Sequence, residues 1–528
     1  MVEKTIEIKQ GQVLSDILPN KEIPTNTILN KTLTGCGATY GEIVHAKRHS
    51  IIIEPNVPVI LGKKAEHPSL FAVYEGITKE DVKAFLAGEE DGFRKIITTP
   101  EGFDKKVLPA MYETHTPMYD DYFLLLDECE KTIQDVGYRG DIYLPVEDFF
   151  RFKNKAMVSA TPILPSDPRF EEQNFEMVRI APTYDYRRPL TLCVTNNTVR
   201  ILRKLLVRLK DETVCIFINS TDTILGLIQT LKLEGRCKVF CADKSVRKLK
   251  QQNFTDVSDR LSELAGVNFF TSRFYSAVDI KLDYKPHVIV LTDVFHAPYS
   301  MIDPQTEVVQ AIGRFRNGIE QAYHITNTCD RLQSVSRDKL FHNLECQERI
   351  YNRIRELPIE GEIEHQTLTQ ALQGMDYKRF VTRTGNRNWF MWDNAWTDAR
   401  LEALYRSSAT IEEEYKDAPF QLAVHKVDYD LTDEDRLRRT QAQIKGTTEL
   451  WREVVEQIDR IQRQNPDAEQ TFLCEQLGDT FSEIIEAATI LGKERIGQLG
   501  YDRRRIKAAL ENVEENRLMT SEKMQRAV

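Results

Sequence analysis

The stretch Leu124-Leu-Leu-Asp-Glu-Cys-Glu130 places three consecutive leucines directly before two adjacent carboxylates. An uninterrupted apolar run of this kind indicates a strand that is covered on both faces, as in a parallel sheet. Ligands of open α/β sheets bind at the carboxyl ends of the strands, which is where Asp127 and Glu128 would lie. One carboxylate could there hold a magnesium ion while its neighbour orients a water, although acids also commonly end strands in a purely structural role.

Other short apolar runs predict further buried strands, at residues 27–30, 49–53, 95–99, 156–159, 214–218, 239–241, 267–270 and 287–291. They alternate with amphipathic stretches, which predicts an α/β fold with parallel sheets. The prolines of Ala181–Pro189 mark a boundary within this region, and Leu437–Ile461 and Leu473–Glu515 repeat apolar residues at helical spacing. We therefore predict α/β domains at 1–185 and 186–330, followed by a mainly helical accessory region at 331–528.

Composition bounds the class of protein. The chain has 528 residues and a net charge of 71 − 81 = −10, so it is no polycation that coats nucleic acid, although a local groove can still be basic. It has no apolar run long enough to cross a membrane and no secretory signal at its start. Nine scattered cysteines suit a reducing compartment, so we expect the cytoplasm, or that of a host cell if a virus or mobile element encodes the chain.

A glycine-rich stretch, Leu33-Thr-Gly-Cys-Gly-Ala-Thr39, follows the predicted strand at 27–30 and precedes a helical segment. Such a turn can direct backbone N–H groups towards a phosphate. The usual phosphate-binding loop ends in Gly-Lys-Thr, whereas Ala38 stands here at the lysine position and Thr39 keeps the hydroxyl. A purely structural turn is an equally open interpretation of this stretch alone.

Two more stretches carry chemistry beyond predicted strands. Val158-Ser-Ala-Thr-Pro162 ends a strand in small hydroxyl residues, and Gln310-Ala-Ile-Gly-Arg-Phe-Arg316 sets two arginines just after a glycine. The fork of an arginine suits a terminal phosphate or the charge of a phosphoryl-transfer transition state. Either stretch alone could equally be an ordinary strand end or a solvated helix.

In this order along the chain, the four stretches resemble those of the superfamily 2 helicases and translocases, the DEAD/DEAH-like family. Weaker matches to family motifs are Ile51–Asn56, Ile97–Gly102, Val214–Ser220 and Phe270–Asp279. The resemblance covers about residues 25–325. It implies two tandem RecA-like domains that close on ATP and Mg²⁺, with nucleic acid across their top. The short Gly-Arg-x-Arg ending most resembles the herpesvirus-type replication-origin-binding helicases.

The resemblance also implies roles for individual residues around the nucleotide. Glu128 would activate water, Thr39 and Asp127 would hold the metal, and Gln310, Arg314 and Arg316 would complete the catalytic set from the second domain. Coupling to nucleic acid would run through Ser159, Ala160 and Thr161. The residues implied in ATP binding are Lys31, Thr34, Gly35, Cys36, Gly37, Ala38, Thr39 and Asp279.

Nucleic acid is the partner that the resemblance implies, with contacts on both domains. The implied contact residues are Pro55, Asn56, Thr99, Pro100, Glu101, Gly102, Asn219, Ser220, Thr271 and Ser272. We expect DNA rather than RNA, in replication, recombination or repair, with replication or recombination proteins as further partners and no membrane. The alternative function is a catalytically silent nucleic-acid-binding module on a helicase scaffold.

The absent loop lysine is the main departure from the family pattern. With Ala38 at that position, either the ATPase is degenerate or another cation replaces the lysine. Lys31 lies seven positions earlier, and its flexible stem could return an ammonium to the phosphates. The alternative is a strand-end lysine that points to solvent.

Two C-terminal stretches each admit two interpretations. The aromatic cluster Trp389-Phe-Met-Trp392, with Trp396 beyond it, is either core packing or a platform on which bases stack. Gly500–Lys507 predicts a turn and a basic helix, which could contact phosphate or form a solvated face.

Overall fold

The computed structural model describes residues 1–88, 92–276, 278–429, 447–464, 470–477 and 481–513. Within these ranges sixteen strands form two eight-stranded sheets, and every pairing in both sheets is parallel. The predicted fold class is confirmed by this strand order: two tandem RecA-like domains and then a mainly helical C-terminal region. Residues 437–446, 478–480 and 514–515 of the predicted C-terminal helices lie outside the described residues.

The first sheet has the strand order β1-β8-β2-β7-β6-β3-β5-β4. Its strands are β1 (Val2–Ile8), β2 (Thr27–Asn30), β3 (His49–Ile53), β4 (Phe71–Val73), β5 (Lys95–Thr98), β6 (Tyr122–Asp127), β7 (Asn154–Ser159) and β8 (Glu176–Pro182). Every residue of β6 is buried, as its run of leucines predicts. Because β6 lies at the middle of the sheet, between β3 and β7, its carboxyl end presents Asp127 near the centre of the sheet edge.

The second sheet has the order β12-β11-β13-β10-β14-β15-β9-β16. Its strands are β9 (Arg188–Thr195), β10 (Val214–Phe217), β11 (Cys237–Phe240), β12 (Val257–Ser258), β13 (Val267–Phe270), β14 (His287–Leu291), β15 (Gln321–Thr326) and β16 (Phe420–Val427). The predicted strands at 267–270 and 287–291 coincide with β13 and β14. The edge strand β16 comes from the region predicted as helical and pairs with β9.

Helices connect and cover the sheets. They are α1 (Leu14–Ile17), α2 (Ala38–Val44), α3 (Val57–Glu66), α4 (Lys79–Ala87), α5 (Pro100–Gly102), α6 (Leu108–Glu113), α7 (Met118–Asp121), α8 (Lys131–Gln134), α9 (Leu144–Phe149), α10 (Arg169–Glu172), α11 (Thr198–Arg208), α12 (Thr221–Leu231), α13 (Asp243–Gln251), α14 (Arg273–Ser276), α15 (Glu307–Gly313), α16 (Arg337–Arg355), α17 (Glu362–Gln373), α18 (Trp389–Leu404), α19 (Ser408–Lys416), α20 (Thr447–Gln464), α21 (Gln470–Leu477) and α22 (Ser482–Gln498). Residues 503–513 are also helical. In the ranges that the structure covers, each helix is too short or too polar to cross a bilayer.

The region predicted as one accessory unit, 331–528, divides among three hydrophobic cores. Helix α16 and the start of α18 pack into the core of the first domain. The end of α18, with α19 and Phe420, packs into the core of the second domain. Helices α20 to α22 and Ile506 form a separate core of their own. Residues after the predicted boundary at 330 therefore contribute to the cores of both sheet domains. The predicted boundary at 185 lies between β8 and β9.

Candidate active site

A cleft of about 780 Å³ lies at the carboxyl ends of the first sheet, and residues of the second domain form its opposite wall. The glycine-rich loop, Asp127 and Glu128 line it on one side, and Arg314 and Arg316 line it on the other. Three of the predicted stretches therefore meet around one cavity, although they are far apart in the sequence.

The loop of residues 31–37 joins β2 to α2, and its shape depends on two glycines. Gly35 and Gly37 have φ angles of 77° and 91°, in the left-handed region that side chains rarely adopt. A Cβ at Gly35 would also lie 2.7 Å from Nη1 of Arg316, so the glycine permits the second domain to approach the loop. The Leu14 amide donates to the Cys36 carbonyl at 3.0 Å and anchors the loop to α1.

Lys31 points into the cleft and is 7% exposed, which contradicts the solvent-facing alternative. Its Nζ lies 3.5 Å from Oε1 of Glu128 and 3.6 Å from Oδ1 of Asp127. Its backbone amide donates to the Ser159 carbonyl at 2.8 Å, which fixes the lysine to the end of β7. Burial opposes the charge, but the carboxylates of Glu128 and Asp127 outweigh it and raise the pKa of Lys31, so the ammonium is retained.

The two predicted metal ligands are in contact. The Thr39 hydroxyl, in the first turn of α2, donates to Oδ2 of Asp127. The other oxygen, Oδ1, accepts from the Glu128 amide at 2.9 Å. Hydroxyl and carboxylate oxygens are ligands that suit Mg²⁺, which commonly takes only one or two protein ligands beside phosphates and waters. The donor set therefore fits the ion, and the buried methyl of Ala38 leaves the neighbouring space open.

Glu128 contacts residues of both domains. Its Oε1 faces both Lys31 and Nη2 of Arg314, the latter at 3.7 Å, and its Oε2 accepts from Nε2 of Gln310 at 3.2 Å. Burial would raise the pKa of Glu128, but Lys31 and Arg314 outweigh it and lower the pKa. Its φ of 47° is in the left-handed region, a strain of about 1–3 kcal/mol that is typical of functional sites.

Gln310, in α15, joins three of the predicted stretches. Besides Glu128, its Nε2 lies 3.3 Å from Oε1 of Glu130 and 3.1 Å from the Thr161 hydroxyl oxygen. Its own oxygen accepts from Nη2 of Arg314 at 2.6 Å. The predicted coupling residues Ser159, Ala160 and Thr161 are buried beside it. The side chain of Gln310 therefore forms hydrogen bonds with residues of both domains at once.

The two arginines differ in their surroundings. Arg314 is buried, and its Nη1 lies 3.7 Å from Oδ1 of Asp279. Arg316 is more exposed, pairs with the same oxygen of Asp279 at 2.7 Å and donates to the Gly313 carbonyl. Thr34, from the loop, donates to that carbonyl at 3.3 Å. The second domain therefore contacts both the loop and the acidic strand end.

Two further acids line or adjoin the cleft and were missed in the sequence. Glu54 follows β3 as Asp127 ends β6, and it is almost fully buried at the cleft. Burial, and then the charges of Asp127 and Glu128, raise the pKa of Glu54 well above its ordinary value. Burial and Glu128 likewise raise the pKa of Glu130 to about 8. The signal for Glu54 was its position directly beyond the apolar run of β3, and that for Glu130 its place in the acidic stretch after β6.

The predicted nucleic-acid contacts of the first domain lie together. Arg139 binds the Pro55 carbonyl at 2.7 Å and both carboxylate oxygens of Glu101, at 2.8 and 2.9 Å. The Thr99 hydroxyl caps α5 by accepting from the Gly102 amide at 3.0 Å. Arg139 thus links the two predicted segments, 55–56 and 99–102, although it belongs to none of the motifs found in the sequence.

In the second domain, Asn219, Ser220, Thr271 and Ser272 line one depression of about 310 Å³. Arg273 and Tyr299 complete it, and the hydroxyl of Tyr299 lies 3.2 Å from Oγ of Ser220. Ser220 also caps α12 through the Thr223 amide. The four predicted residues are therefore neighbours, and the exposed Tyr299 is an aromatic that the motifs did not include.

No protein-family model and no curated protein matches the chain. Among solved structures it is similar to S. cerevisiae Dbp5 bound to RNA and ADP–BeF3, with 12% identity and a TM-score of 0.40 over 80% of this chain and 90% of that one. It is also similar to the DEAD-box helicase Mss116 bound to single-stranded RNA and UDP–BeF, with 11% identity and a TM-score of 0.42 over 96% and 99% of the two chains.

A third similar structure is the Mycobacterium smegmatis helicase Lhr bound to single-stranded DNA and AMP-PNP. The identity is 12% and the TM-score 0.38, over 61% of this chain and 45% of that one. The two tandem parallel-sheet domains expected from the order of the motifs are present in this chain. The narrower likeness to origin-binding helicases stays a prediction.

Proposed function

We propose that the chain is an ATP-dependent nucleic-acid helicase or translocase. The observation that carries this proposal is the position of Glu128, between Lys31 of the first domain and Gln310 and Arg314 of the second. A carboxylate with cations from both domains at one cleft is an arrangement in which phosphoryl transfer can depend on domain closure.

In the proposed reaction, Glu128 accepts the proton of the attacking water. Lys31 and Arg314 neutralise Glu128 in the structure, and both are within reach of the loop that would hold phosphates. When ATP binds, its β- and γ-phosphates would draw these cations away from the carboxylate. The pKa of Glu128 would then rise, which makes Glu128 a better proton acceptor at the moment when substrate is present.

Thr39 and Asp127 would hold Mg²⁺ in this proposal. The ion would offset the charge that develops on the phosphate oxygens. The roles of the neighbouring residues follow from their positions: Thr34, Gly35, Cys36 and Gly37 would surround the phosphates, and Asp279 would orient Arg314 and Arg316.

Lys31 would replace the absent loop lysine. Its buried ammonium lies at the same cleft as Thr39 and the glycines of the loop, which supports hydrolysis over the catalytically silent alternative. The short helix α2 brings no cation of its own to that side, since Ala38 begins it.

Nucleic acid would lie across the segments 55–56 and 99–102 of the first domain and the depression that 219–220 and 271–272 line in the second. The narrower proposal is DNA rather than RNA, in replication, recombination or repair, with replication or recombination proteins as partners in the cytoplasm. Its support is the Gly-Arg-x-Arg ending at Gly313–Arg316, which resembles that of origin-binding helicases.

An ATPase assay with a panel of nucleic acids tests the proposal. Turnover should be Mg²⁺-dependent and rise on addition of single-stranded DNA, and less so with RNA of matched sequence. Binding of the oligonucleotides without any turnover would favour the silent module. Equal stimulation by DNA and RNA would overturn the narrower proposal alone.

A further inference from the structure

The aromatic cluster at the start of α18 divides between two environments. Trp392 is fully buried, and Phe390 and Met391 pack with it in the core of the first domain, as the core interpretation predicts. Trp389, however, is only partly buried and lines a second cavity of about 440 Å³. Among the tryptophans of this helix, Trp389 is therefore the one that lines this cavity.

This cavity, which we call the Trp389 pocket, has three walls. Tyr143 and Glu147 come from the start of α9, Asp167 and Arg169 from the segment that leads into α10, and the turn of residues 382–388 closes the third side. The guanidinium of Arg169 stacks over Phe150 at 4.2 Å. That of Arg387 lies over Trp389 at 4.5 Å and over Trp392 at 4.0 Å. The walls thus carry flat, polarisable groups held in fixed orientations.

The arginines of the Trp389 pocket are neutralised from within the protein. Arg169 binds Asp167 at 2.6 Å through Nη2, and Arg387 binds Glu348 through Nε at 3.0 Å and through Nη2. Tyr143 donates its hydroxyl proton to Glu147. Because these pairs leave no surplus of positive charge, the pocket favours a neutral planar group with hydrogen-bonding edges over a phosphate.

The same turn contacts the proposed nucleic-acid surface. Arg383 lies 3.0 Å from Oδ2 of Asp104 and 3.8 Å from Oδ1 of Asp141. Asp104 follows Gly102 by two positions, and Asp141 follows the Arg139 that binds Glu101. The turn that closes the Trp389 pocket is therefore joined by ion pairs to residues that closely follow segment 99–102 and Arg139 in the sequence.

We propose that the Trp389 pocket receives an unstacked base of the single strand that the first domain binds. The inference rests on the proposed function, and it adds a binding site outside the helicase motifs. Stacking on Trp389 would hold the base, and the exposed Thr384 and Asn386 of the turn offer a hydroxyl and an amide to its edges. The volume accommodates a base with its sugar and exceeds what the base alone needs.

The test compares Trp389→Leu with Trp396→Leu, which changes a partly buried tryptophan of the same helix outside the pocket. Affinity is measured by fluorescence anisotropy with labelled oligo-dT and oligo-U, and thymidine monophosphate serves as the free-nucleotide probe. Trp389→Leu should weaken oligonucleotide binding roughly tenfold, since one stacked base contributes that order. Trp396→Leu should bind as the parent does. ATP turnover without nucleic acid should be unchanged in both, which also shows that both fold.

Photocrosslinking tests the Trp389 pocket independently of the affinity measurements. An oligonucleotide with 5-iodouracil should crosslink to the peptide that contains Trp389. Separately, Asn386→Ala should weaken oligonucleotide binding two- to threefold, which is about half a kcal/mol, because it removes one hydrogen bond at the rim of the pocket. Equal affinities of the two tryptophan variants, with crosslinks only elsewhere, would overturn the pocket. Tight binding of the mononucleotide by the parent, lost in Trp389→Leu, would overturn the strand as its ligand. A parent protein that binds no oligonucleotide would overturn the proposed function itself.

Discussion

The two walls of the cleft are built differently. On the first-domain wall, Lys31 and Asp127 stand at the ends of parallel strands, and the Lys31 amide is itself bonded to β7. On the second-domain wall, Gln310 and the arginines lie in and just after α15 and reach the first domain only through side chains. The position of the first wall is therefore fixed by the first sheet, whereas the position of the second wall depends on how closely the two domains approach each other. On the first-domain wall, loss of the Lys31 cation should affect ATP binding as well as chemistry, whereas substitutions on the second-domain wall should mainly affect turnover.

The largest effect is expected for Glu128→Gln. The amide is nearly isosteric and keeps the fold, but it is a poor proton acceptor, so ATP turnover should fall to background while ATP binding persists. Steady-state ATPase rates and equilibrium binding of a fluorescent ATP analogue measure the two. The matched control is Glu75→Gln at an exposed position, which should be neutral. Parent-like turnover in Glu128→Gln would remove its assigned role.

Arg314→Ala should come next. An arginine that meets the transition-state charge contributes roughly 10³–10⁵ in rate, so turnover should fall by that order while nucleic-acid binding without nucleotide changes little. Arg316→Ala should cost less, because Arg316 is more exposed and contacts Asp279 rather than Glu128. Equal loss of turnover and of nucleic-acid binding in Arg314→Ala would instead indicate a misfolded variant or a nucleic-acid contact.

Lys31→Ala should raise the ATP KM, lower kcat, or both, by at least roughly tenfold in kcat/KM, which is about 1.4 kcal/mol. It also removes the buried cation that Asp127 and Glu128 share, so thermal unfolding is recorded beside the kinetics. Ala38→Lys in the Lys31→Ala background should restore part of the loss. Lys47→Ala, at an exposed lysine beyond α2, is the control. Undiminished hydrolysis by Lys31→Ala would end the substitution hypothesis.

Gly313→Ala should give the smallest effect, and it changes only the contact between the two walls. A Cβ at Gly313 would lie 2.6 Å from the side chain of Thr34, so the new methyl should hold the domains slightly apart. We expect kcat to fall severalfold, with ATP binding and the unfolding midpoint nearly unchanged. Thr34→Ala in the same chain should recover part of the rate. A pure loss of stability without that recovery would contradict the steric explanation.

The sequence predicts the centre of each domain better than its edges. Runs such as Ile51-Ile-Ile53 and Leu124-Leu-Leu126 are buried on both faces, so hydrophobicity alone marks them. Edge strands such as β1 and β16 are largely exposed and mix polar with apolar residues, so they contain no comparable uninterrupted apolar run. Likewise, the motif residues that meet at the cleft could be predicted from their order, whereas Arg139 and Glu54 depend on which loops the sheet brings together.

The origin of β16 has a consequence for how the chain is made. A ribosome delivers β9 long before residues 420–427, yet β16 is the neighbour that covers the outer edge of β9. Until those residues emerge, β9 itself is the unpaired edge of the second sheet, and the first domain lacks α16 and the start of α18 from its core. A truncation after residue 330 keeps every stretch that resembles a helicase motif and should nonetheless aggregate, because both domains are completed late in synthesis.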